Sequence, residues 1–294
     1  MRKSGSARDG SLADVGCDQR WCDHEAMGGD SPTRLVDVRG LLVDIDGVLV
    51  TSWQPIPGAA EALAACRRAG IALRCLTNTT SVSRAEISHR LNAAGIAVDT
   101  SEIVSAPAAT AAWLNAEHPD ARCYLINSGD LGDDFAGVQV VDHDDRADIV
   151  VLGGAGEEFS YTQMNHALGL LLDGAALVGM QRNMYWRTQE GFNLDTGAYL
   201  MALEQAAGVT ATVLGKPSGT FFCTALEEMG LAADQAAMIG DDIDNDVLGA
   251  QAIGLTGILV RTGKFRPEAL HSAAGVPDVV IKSIADLPDF LGLR

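Results

Sequence analysis

Short apolar runs alternate with helical segments along this chain, and this alternation constrains the fold more than any other feature of the sequence. Strands that are buried on both faces are continuous apolar runs, and parallel strands need a long crossover, usually a helix. The pattern therefore predicts an α/β fold with a parallel sheet covered by helices on both faces. The apolar runs lie at residues 40–45, 71–76, 103–104, 211–214, 236–239 and 256–260.

The middle of the chain has strand and helix signals of its own. Apolar runs at residues 123–126, 148–152 and 177–179 precede a helical segment at residues 196–207. This is enough material to bury a second, smaller core. We therefore expect a domain inserted into the first one. The expected division is a flexible tail at residues 1–34, a core at residues 35–104 and 211–294, and an insert at residues 105–210.

The charge balance narrows the possible partners. The 294 residues include 39 Asp and Glu against 21 Lys and Arg, a formal net charge of −18. Nucleic acids and anionic membranes are bound through clustered cations, so the balance argues against both. The six cysteines form no C-x-x-C pair, and no apolar run reaches the roughly 18 residues of a membrane span. A soluble cytoplasmic protein is expected.

Two aspartates directly follow the first predicted strand. The segment Leu41-Leu-Val-Asp44-Ile-Asp46-Gly47 places both at the carboxyl end of that strand, where ligands bind in open parallel sheets. Gly47 allows the backbone to turn and bring the two carboxylates around one small ligand. A strand that ends in a solvated acidic turn has the same pattern, so this segment alone leaves both interpretations open.

Three further polar segments follow later apolar runs. Thr77-Asn78 offers a hydroxyl and an amide, Lys216 offers a positive charge, and residues 240–246 include four aspartates, namely Asp241, Asp242, Asp244 and Asp246. Hydrogen-bond donors and a lysine suit a phosphoryl group, and carboxylates suit a hard cation such as Mg²⁺. An EF-hand calcium loop is excluded, because Val247 and Ile253 stand where that loop needs Gly and Glu.

These four segments, in this order, resemble the four motifs of the haloacid dehalogenase-like hydrolase superfamily. The long interval between Asn78 and Lys216 is similar to that of subclass IIA, whose cap domain lies between the second and third motifs. The resemblance implies a Rossmann-like parallel-sheet core with an inserted α/β cap domain. Within the subclass, residues 154–161, 185–186 and 238–267 look most like a branch that acts on pyrophosphate and on phosphorylated histidine or lysine.

The resemblance implies a role for each matching residue. Asp44 would be the nucleophile that forms an aspartyl phosphate, and Asp46 the general acid and base. Thr77, the backbone of Asn78 and Lys216 would hold the phosphoryl oxygens, with Lys216 also balancing charge in catalysis. The cofactor would be Mg²⁺. Its ligands would be Asp44, the backbone carbonyl of Asp46, and Asp241, with Asp242 and Asp246 just behind them.

The insert, as a cap, would select the substrate. Its segment at residues 179–187 is expected to face the core, and Gln181, Arg182 and Arg187 are the expected substrate contacts. Gln181 stands where many members of the subclass carry Asn, so a sugar-phosphate specificity does not follow. The resemblance also implies a homodimer formed through the cap.

The sequence thus predicts a Mg²⁺-dependent phosphatase of small phosphorylated metabolites, with pyrophosphate and phosphohistidine or phospholysine among its candidate substrates. Two alternatives remain open at this point. One is a phosphotransferase or phosphomutase with the same motifs, and the other is a non-catalytic module that binds a phosphorylated metabolite. A pure binding module needs neither a nucleophile nor an acid, so Asp44 and Asp46 argue against the second alternative.

Overall fold

The computed structural model describes residues 38–143, 146–154, 156–188 and 191–293. Within these ranges, the strands in chain order are β1 (Gly40–Asp44), β2 (Val50–Thr51), β3 (Gln54–Pro55), β4 (Ala72–Thr77), β5 (Ile103–Ser105), β6 (Arg122–Ile126), β7 (Gln139–Val140), β8 (Ile149–Leu152), β9 (Ala176–Gly179), β10 (Tyr185–Thr188), β11 (Gly191–Leu194), β12 (Thr212–Val213), β13 (Ala236–Gly240), β14 (Thr256–Val260) and β15 (Val279–Ile281). The helices are α1 (Ala59–Arg68), α2 (Arg84–Ala93), α3 (Ala106–Glu117), α4 (Tyr161–Leu172), α5 (Thr196–Ala207), α6 (Gly219–Met229), α7 (Gly249–Gln251), α8 (Pro267–Ser272) and α9 (Leu287–Phe290).

Six strands form one parallel sheet in the order β15-β14-β13-β1-β4-β5. β1 and β13 lie side by side near its centre, and all five residues of each strand are buried. Such strands are apolar throughout because helices cover both faces of the sheet. The predicted Rossmann-like parallel sheet is confirmed.

Alternate residues of β1 pack on opposite faces of this sheet. Leu41 and Val43 belong to the core cluster that includes residues of α1 and α9. Leu42 belongs to the cluster on the other face, where it packs with Phe221 and Phe222 of α6. A one-residue slip would exchange the two faces, so this packing sets the register of β1. It thereby also sets the position of Asp44 at the end of the strand.

A second parallel sheet has the order β12-β9-β8-β6-β7. One face packs on α4 and α5 through a cluster that includes Tyr124 and Val150. The other face packs on α3 through a cluster that includes Cys123 and Val151. The middle of the chain therefore builds its own two-faced α/β layer, with the antiparallel hairpin β10-β11 beside it.

The expectation that the run at residues 211–214 belongs to the first sheet is wrong. Thr212 pairs with Val178 and Val213 pairs with Gly179, so this strand, β12, is the edge of the second sheet. An apolar run predicts a strand but carries no information on its partner, which tertiary packing decides. The second sheet consequently extends to Val213, three positions beyond the expected end of the insert.

The remaining expectations about the organisation of the chain concern its tail and its domain boundaries. The expected tail at residues 1–34 lies outside the described residues. The division into a core at residues 35–104 and 211–294 and a cap at residues 105–210 stays a proposal, apart from the correction at β12. Among the described helices, none has the length and apolar character needed to cross a bilayer.

Candidate active site

The candidate site lies at the carboxyl edge of the six-stranded sheet. β4, β1 and β13 are neighbours in this sheet, and they end at Thr77, Asp44 and Gly240. Parallel strands present their carboxyl ends at one edge, so polar segments that are far apart in sequence meet there. Asp241 follows Gly240 directly, and the structure thus brings the first, second and fourth polar segments together.

The turn after β1 packs directly against Asp241. Gly47 has a φ of +93°, and a Cβ atom at this position would lie 1.9 Å from Asp241 Oδ2. Gly263 also has a positive φ, and its Cβ atom would lie 1.9 Å from the same oxygen. Thr262 Oγ1 donates a hydrogen bond to the carbonyl oxygen of Gly47, which ties the two turns together. Glycine is needed at both positions because the carboxylate occupies the space of a side chain.

Lys216 is the centre of a buried ion cluster. Its Nζ lies 2.5 Å from Asp44 Oδ1 and 2.6 Å from Asp246 Oδ1. The Lys216 side chain is 4% exposed, and those of Asp44 and Asp246 are 7% and 2% exposed. Removing one partner of such a buried pair costs about 3–5 kcal/mol, because it leaves an uncompensated charge. Lys216 therefore holds Asp44 in place at the end of β1.

The carboxyl groups of the cluster have raised pKa values. Burial raises the pKa of Asp44, and the Lys216 ammonium opposes part of that shift. Burial, together with the charges of Asp44 and Asp246, raises the pKa of Asp241 to about 8. Burial raises the pKa of Asp246 to about 6, again opposed by Lys216. Burial acts downward on the pKa of Lys216, but Asp246 and Asp44 outweigh it and raise that pKa. One buried ammonium thus faces three carboxyl groups.

The three carboxyl groups are arranged so that one cation can contact all of them. One oxygen from each of Asp44, Asp241 and Asp246 lies within 4.8 Å of the other two. Asp241 Oδ1 is buried and has no hydrogen-bond partner among the described residues. A buried oxygen in this state is costly unless a ligand satisfies it. These residues fit a hard divalent cation, which prefers carboxylate oxygens.

Asp242 and Asp246, both expected just behind the metal ligands, differ in the structure. Asp246 lies inside the carboxyl cluster and is bound by Lys216. Asp242 instead caps the turn that follows β13: its Oδ1 accepts hydrogen bonds from the backbone N–H groups of Asp244 and Asn245 at 3.2 and 3.1 Å. Its Oδ2 accepts from Asn245 Nδ2 at 2.8 Å. Asp242 therefore shapes the loop.

Asp46 interacts with the loop that follows β4. Thr79 Oγ1 donates a hydrogen bond to Asp46 Oδ2 at 3.1 Å, and the Thr79 N–H donates to Thr77 Oγ1 at 3.0 Å. Thr79 thus links Asp46 of the first motif to the Thr77 hydroxyl of the second motif. Thr79 is not among the residues predicted from the sequence, and its only sequence signal is that the polar segment continues beyond Asn78.

The side chain of Asn78 positions the backbone of Lys216. Asn78 Nδ2 donates to the Lys216 carbonyl oxygen, and Asn78 Oδ1 accepts from the Lys216 N–H, both at 2.9 Å. Lys216 follows β12 of the second sheet, whereas Asn78 follows β4 of the first. These two hydrogen bonds therefore join the two sheets at the site. Because the Asn78 side chain bonds the Lys216 backbone, the predicted contact between Asn78 and phosphate would be made by the Asn78 backbone N–H.

The structure gives two of the three expected cap contacts other partners. Gln181 is buried, and its Nε2 donates to Asp195 Oδ1 at 2.7 Å and to Thr196 Oγ1 at 2.9 Å. Arg182 forms a bidentate ion pair with Glu204, with N–O distances of 2.6 and 3.0 Å. The buried Gln181 amide is satisfied inside its own domain, whereas the Arg182 side chain is 39% exposed and its ion pair uses two of the five guanidinium donors. The substrate contacts of both residues stay predictions.

A different residue of the same segment contacts the first domain. Asn245 Nδ2 donates to Asn183 Oδ1 at 3.4 Å, which joins the segment after β9 to the turn after β13. The N–H of Asn183 donates to Gln181 Oε1, and its carbonyl oxygen accepts from the Gly197 N–H at 2.8 Å. Gln181 thus supports Asn183. The side chain of Arg187, the third expected contact, lies outside the described part of the chain.

Lys264 is a second lysine at the site, and it is not among the site residues predicted from the sequence. Its backbone N–H donates to Asp241 Oδ2 at 2.6 Å, and its Nζ lies 4.0 Å from Asp242 Oδ2. Burial acts downward on the pKa of Lys264, but Asp241 and Asp44 are foremost among the carboxyl groups that raise it. Its only sequence signal is its place in the loop after β14.

Comparisons with known sequences agree on one family. Residues 41–141 match the family model described as haloacid dehalogenase-like hydrolase, and residues 213–287 match a second model of HAD-like hydrolases. The chain is 39% identical over 264 residues to the phospholysine phosphohistidine inorganic pyrophosphate phosphatase of Homo sapiens, covering 88% of this chain and 96% of that protein. It is 40% identical over 229 residues to haloacid dehalogenase-like hydrolase domain-containing protein 2 of Rattus norvegicus, covering 78% and 86%.

Comparisons with solved structures agree with the sequence matches. The p-nitrophenyl phosphatase from Archaeoglobus fulgidus superposes with a TM-score of 0.81 at 31% identity, covering 86% of this chain and 99% of that one. NagD from E. coli K-12 superposes with a TM-score of 0.76 at 27% identity, covering 85% and 98%. A glycerol phosphate phosphatase from Mycobacterium tuberculosis, solved in complex with calcium, has a TM-score of 0.75 at 26% identity, covering 85% and 74%.

Proposed function

Since this chain belongs to the haloacid dehalogenase-like hydrolase superfamily and is a phosphatase, we propose that it is a Mg²⁺-dependent enzyme that hydrolyses small phosphorylated metabolites through Asp44. The observation that carries the proposal is the buried contact of 2.5 Å between Lys216 Nζ and Asp44 Oδ1, beside Asp241. The lysine orients the carboxylate and opposes the rise in its pKa that burial causes, which favours the ionised form that a nucleophile requires.

The proposed reaction has two steps. In the first, a carboxylate oxygen of Asp44 attacks phosphorus, and the bond between phosphorus and the leaving oxygen or nitrogen breaks. Asp46, in its acid form, gives that leaving atom a proton. In the second, water attacks the phosphorus of the aspartyl phosphate while Asp46 accepts a proton from the water. The bond to Asp44 then breaks and inorganic phosphate leaves. The hydrogen bond from Thr79 supports this role by orienting Asp46.

Three groups would hold the phosphoryl oxygens. These are the Thr77 hydroxyl, the Asn78 backbone N–H and the Lys216 ammonium. Thr77 and Lys216 are both buried, so their hydrogen bonds to an anion would be shielded from water. Lys216 would also balance the charge that develops as Asp44 attacks, since it already contacts that carboxylate.

Asp44, Asp241 and the backbone carbonyl of Asp46 would hold Mg²⁺, with Asp246 next to them. When bound, the cation supplies positive charge that offsets the repulsion between a phosphate and the Asp44 carboxylate. The unpaired Asp241 Oδ1 and the raised pKa of that carboxyl, about 8, support a cation at this place. Calcium accompanies one structural relative, so the choice of Mg²⁺ belongs to the proposal.

Pyrophosphate, phosphohistidine and phospholysine are the candidate substrates. This choice is supported by the 39% identity to a phosphatase named for those three compounds, across 96% of its length. In pyrophosphate the leaving atom is an oxygen and in the other two it is a nitrogen. Asp46 can give a proton to either, so the proposed steps apply to all three.

The location and assembly of the protein are also proposals. A cytoplasmic location is supported by Cys66, Cys75 and Cys123, which are buried thiols outside any disulfide. A homodimer through the cap is supported by exposed apolar side chains on the hairpin β10-β11, where Tyr185 pairs with Leu194 and both are more than half exposed. Analytical ultracentrifugation tests the dimer, and a monomer at micromolar concentration would contradict it.

A hydrolysis panel tests the proposed function. The purified chain is incubated with Mg²⁺ and, in turn, p-nitrophenyl phosphate, pyrophosphate, phosphohistidine and phospholysine. We expect phosphate release that EDTA abolishes and Mg²⁺ restores. Full activity in EDTA would contradict the metal requirement, and no release from any phosphate compound would contradict the proposed function.

The same panel separates hydrolysis from phosphoryl transfer. In water enriched in ¹⁸O, hydrolysis puts one labelled oxygen into the released phosphate, because water attacks the phosphorus of the aspartyl phosphate. A phosphotransferase or mutase would instead place unlabelled phosphate on a second substrate. Unlabelled product in the presence of added alcohols or sugars would favour that alternative.

A further inference from the structure

The two lysines at the site have opposite environments. Lys216 is 4% exposed and contacts two carboxylates at 2.5 and 2.6 Å. The Lys264 side chain is 63% exposed, and its Nζ stands 4.0 Å from Asp242 Oδ2, a loose contact. The buried ammonium is committed to the carboxyl cluster. The exposed ammonium is accessible to a ligand that arrives from solvent.

The backbone of Lys264 is fixed against the site although its side chain is exposed. Its N–H donates to Asp241 Oδ2 at 2.6 Å. A Cβ atom on the preceding Gly263 would lie 2.5 Å from the Cα of Gly47, so the two turns are in contact. Thr262 adds a hydrogen bond to the Gly47 carbonyl oxygen. A lysine has a flexible four-carbon stem, so this anchor keeps the ammonium within one side-chain length of Asp241.

A second anionic group on a substrate would need such a cation. Asp242 and Asp46 lie at the same sheet edge, and their carboxylates would repel a further negative charge. Arg182 is the first cationic residue after β9, and both carboxylate oxygens of Glu204 bind its guanidinium. Lys264 therefore supplies positive charge at this edge that is not already committed to a short ion pair.

We propose that Lys264 binds a second anionic group of the substrate, so that the enzyme favours diphosphates and other phosphate compounds with an additional negative charge close to the scissile phosphorus. The inference rests on the proposed phosphatase function, because it names the side chain that selects among its substrates. The ammonium donates a charge-assisted hydrogen bond to the second group, while Lys216 remains with Asp44.

Steady-state kinetics on Lys264→Gln tests this inference. The probes are pyrophosphate, which carries a second phosphoryl group, and p-nitrophenyl phosphate, which carries none. We expect the ratio of the KM for pyrophosphate to the KM for p-nitrophenyl phosphate to rise about tenfold, as loss of one charge-assisted hydrogen bond implies. Lys264→Arg is expected to restore most of the ratio, because it keeps the charge. An unchanged ratio in Lys264→Gln would overturn the inference.

Lys282→Gln is the matched control. Lys282 follows β15, the edge strand of the sheet, three strands away from β1, and its side chain is exposed. The substitution removes the same charge without touching the Asp241 turn, so the KM ratio is expected to stay at the wild-type value. If Lys264 only neutralised the carboxyl cluster, Lys264→Gln would weaken both substrates equally and lower the Mg²⁺ concentration for half-activation, because the cluster would become more negative. That result would also overturn the inference.

A binding measurement separates this inference from the proposed function. Calorimetry in Mg²⁺ compares methylenediphosphonate, which cannot be hydrolysed at its bridge, with inorganic phosphate. We expect Lys264→Gln to weaken the diphosphonate about tenfold more than phosphate. If the wild type hydrolysed nothing, the proposed function would fail, and this binding difference would still decide the role of Lys264. Equal weakening of both ligands would overturn it.

Discussion

The two parallel sheets of this protein are built alike but end differently. In the six-stranded sheet, β1 ends at Asp44 and β13 leads directly to Asp241, and both carboxyl groups are buried. In the five-stranded sheet, β8 leads to Gly153, and β9 leads to Met180 and Gln181. Gln181 is also buried, but it is neutral and its amide has partners within its own domain.

This difference shows that the fold provides an edge and that the residues at the strand ends provide the chemistry. The first edge concentrates buried carboxyl groups, and one oxygen of Asp241 has no hydrogen-bond partner within the described part of the chain, which is unfavourable until a ligand binds. At the second edge, the buried Gln181 amide is satisfied by protein partners without a ligand. The variants below change one edge at a time.

The largest effect is expected at the first edge from Asp44→Asn. The amide is neutral and a poor nucleophile, so kcat for p-nitrophenyl phosphate should fall more than about 1,000-fold while the circular dichroism spectrum stays the same. Asp173→Asn makes the same chemical change at the exposed end of α4, beside the second sheet, and should leave kcat unchanged. Wild-type turnover by purified Asp44→Asn would contradict the mechanism.

The next effect concerns the stability of the metal-free protein. The pKa of Asp241 is raised from 3.8 to about 8 in the fold, so the folded state keeps a proton that the unfolded state releases. Stability should therefore fall as pH rises from about 4 to about 8. Asp241→Asn removes this titration, and its free energy of unfolding should exceed that of wild type at pH 8 by about 1–3 kcal/mol.

Urea unfolding in EDTA at pH 5 and pH 8 measures this difference. The gain from Asp241→Asn should be smaller at pH 5, where the wild-type carboxyl keeps its proton. Added Mg²⁺ should make wild type more stable than Asp241→Asn at pH 8, because the cation stabilises the ionised wild-type cluster. A wild type that is no less stable at pH 8 than at pH 5 would contradict the predicted linkage.

At the second edge, Gln181→Ala should affect stability more than catalysis. It removes the buried donor that Gln181 supplies to Asp195 Oδ1 and Thr196 Oγ1, which costs about 1–3 kcal/mol in the free energy of unfolding. Turnover by the folded enzyme should change less than about threefold, since the group lost lies inside the domain. Loss of activity without loss of stability would instead indicate that Gln181 contacts the substrate.

The smallest effect is expected from Arg182→Gln. Its ion pair with Glu204 is partly exposed, and such pairs contribute less than about 1 kcal/mol. We expect the KM for pyrophosphate to stay within about twofold of wild type, in contrast to Lys264→Gln. A large rise in this KM at unchanged stability would instead indicate that Arg182 contacts the substrate.

The main strands of both sheets and some of the helices could be predicted because their signals are local. The run at residues 256–260 is β14 and the helical segment at residues 196–207 is α5. Ser83 caps α2 and Ser160 caps α4, as the sequence pattern around each serine indicates. The hairpin β10-β11 was missed, because its exposed residues form neither an apolar run nor a regular alternation.

The partners of the site residues were harder to predict than the residues themselves. Asp44, Lys216 and Asp241 have distinct motif signals, and the resemblance placed Asp246 just behind the metal ligands, but only the structure shows that Asp246 lies in the cluster and contacts Lys216. Lys264 lies beyond the last motif, and its contact with Asp241 depends on how β14 packs beside β13. Contacts of this kind join segments that no local pattern relates.

By itself, the sequence determined the α/β alternation and the residue types at the strand ends, because both follow from the local apolar pattern and the motifs. The tertiary structure decided that β12 belongs to the second sheet and that Lys216 therefore reaches the site from there. It also decided that Asn78 holds the Lys216 backbone and that the Lys264 turn packs on Gly47. These outcomes depend on strand pairing and desolvation between distant segments, which act only once the chain has folded.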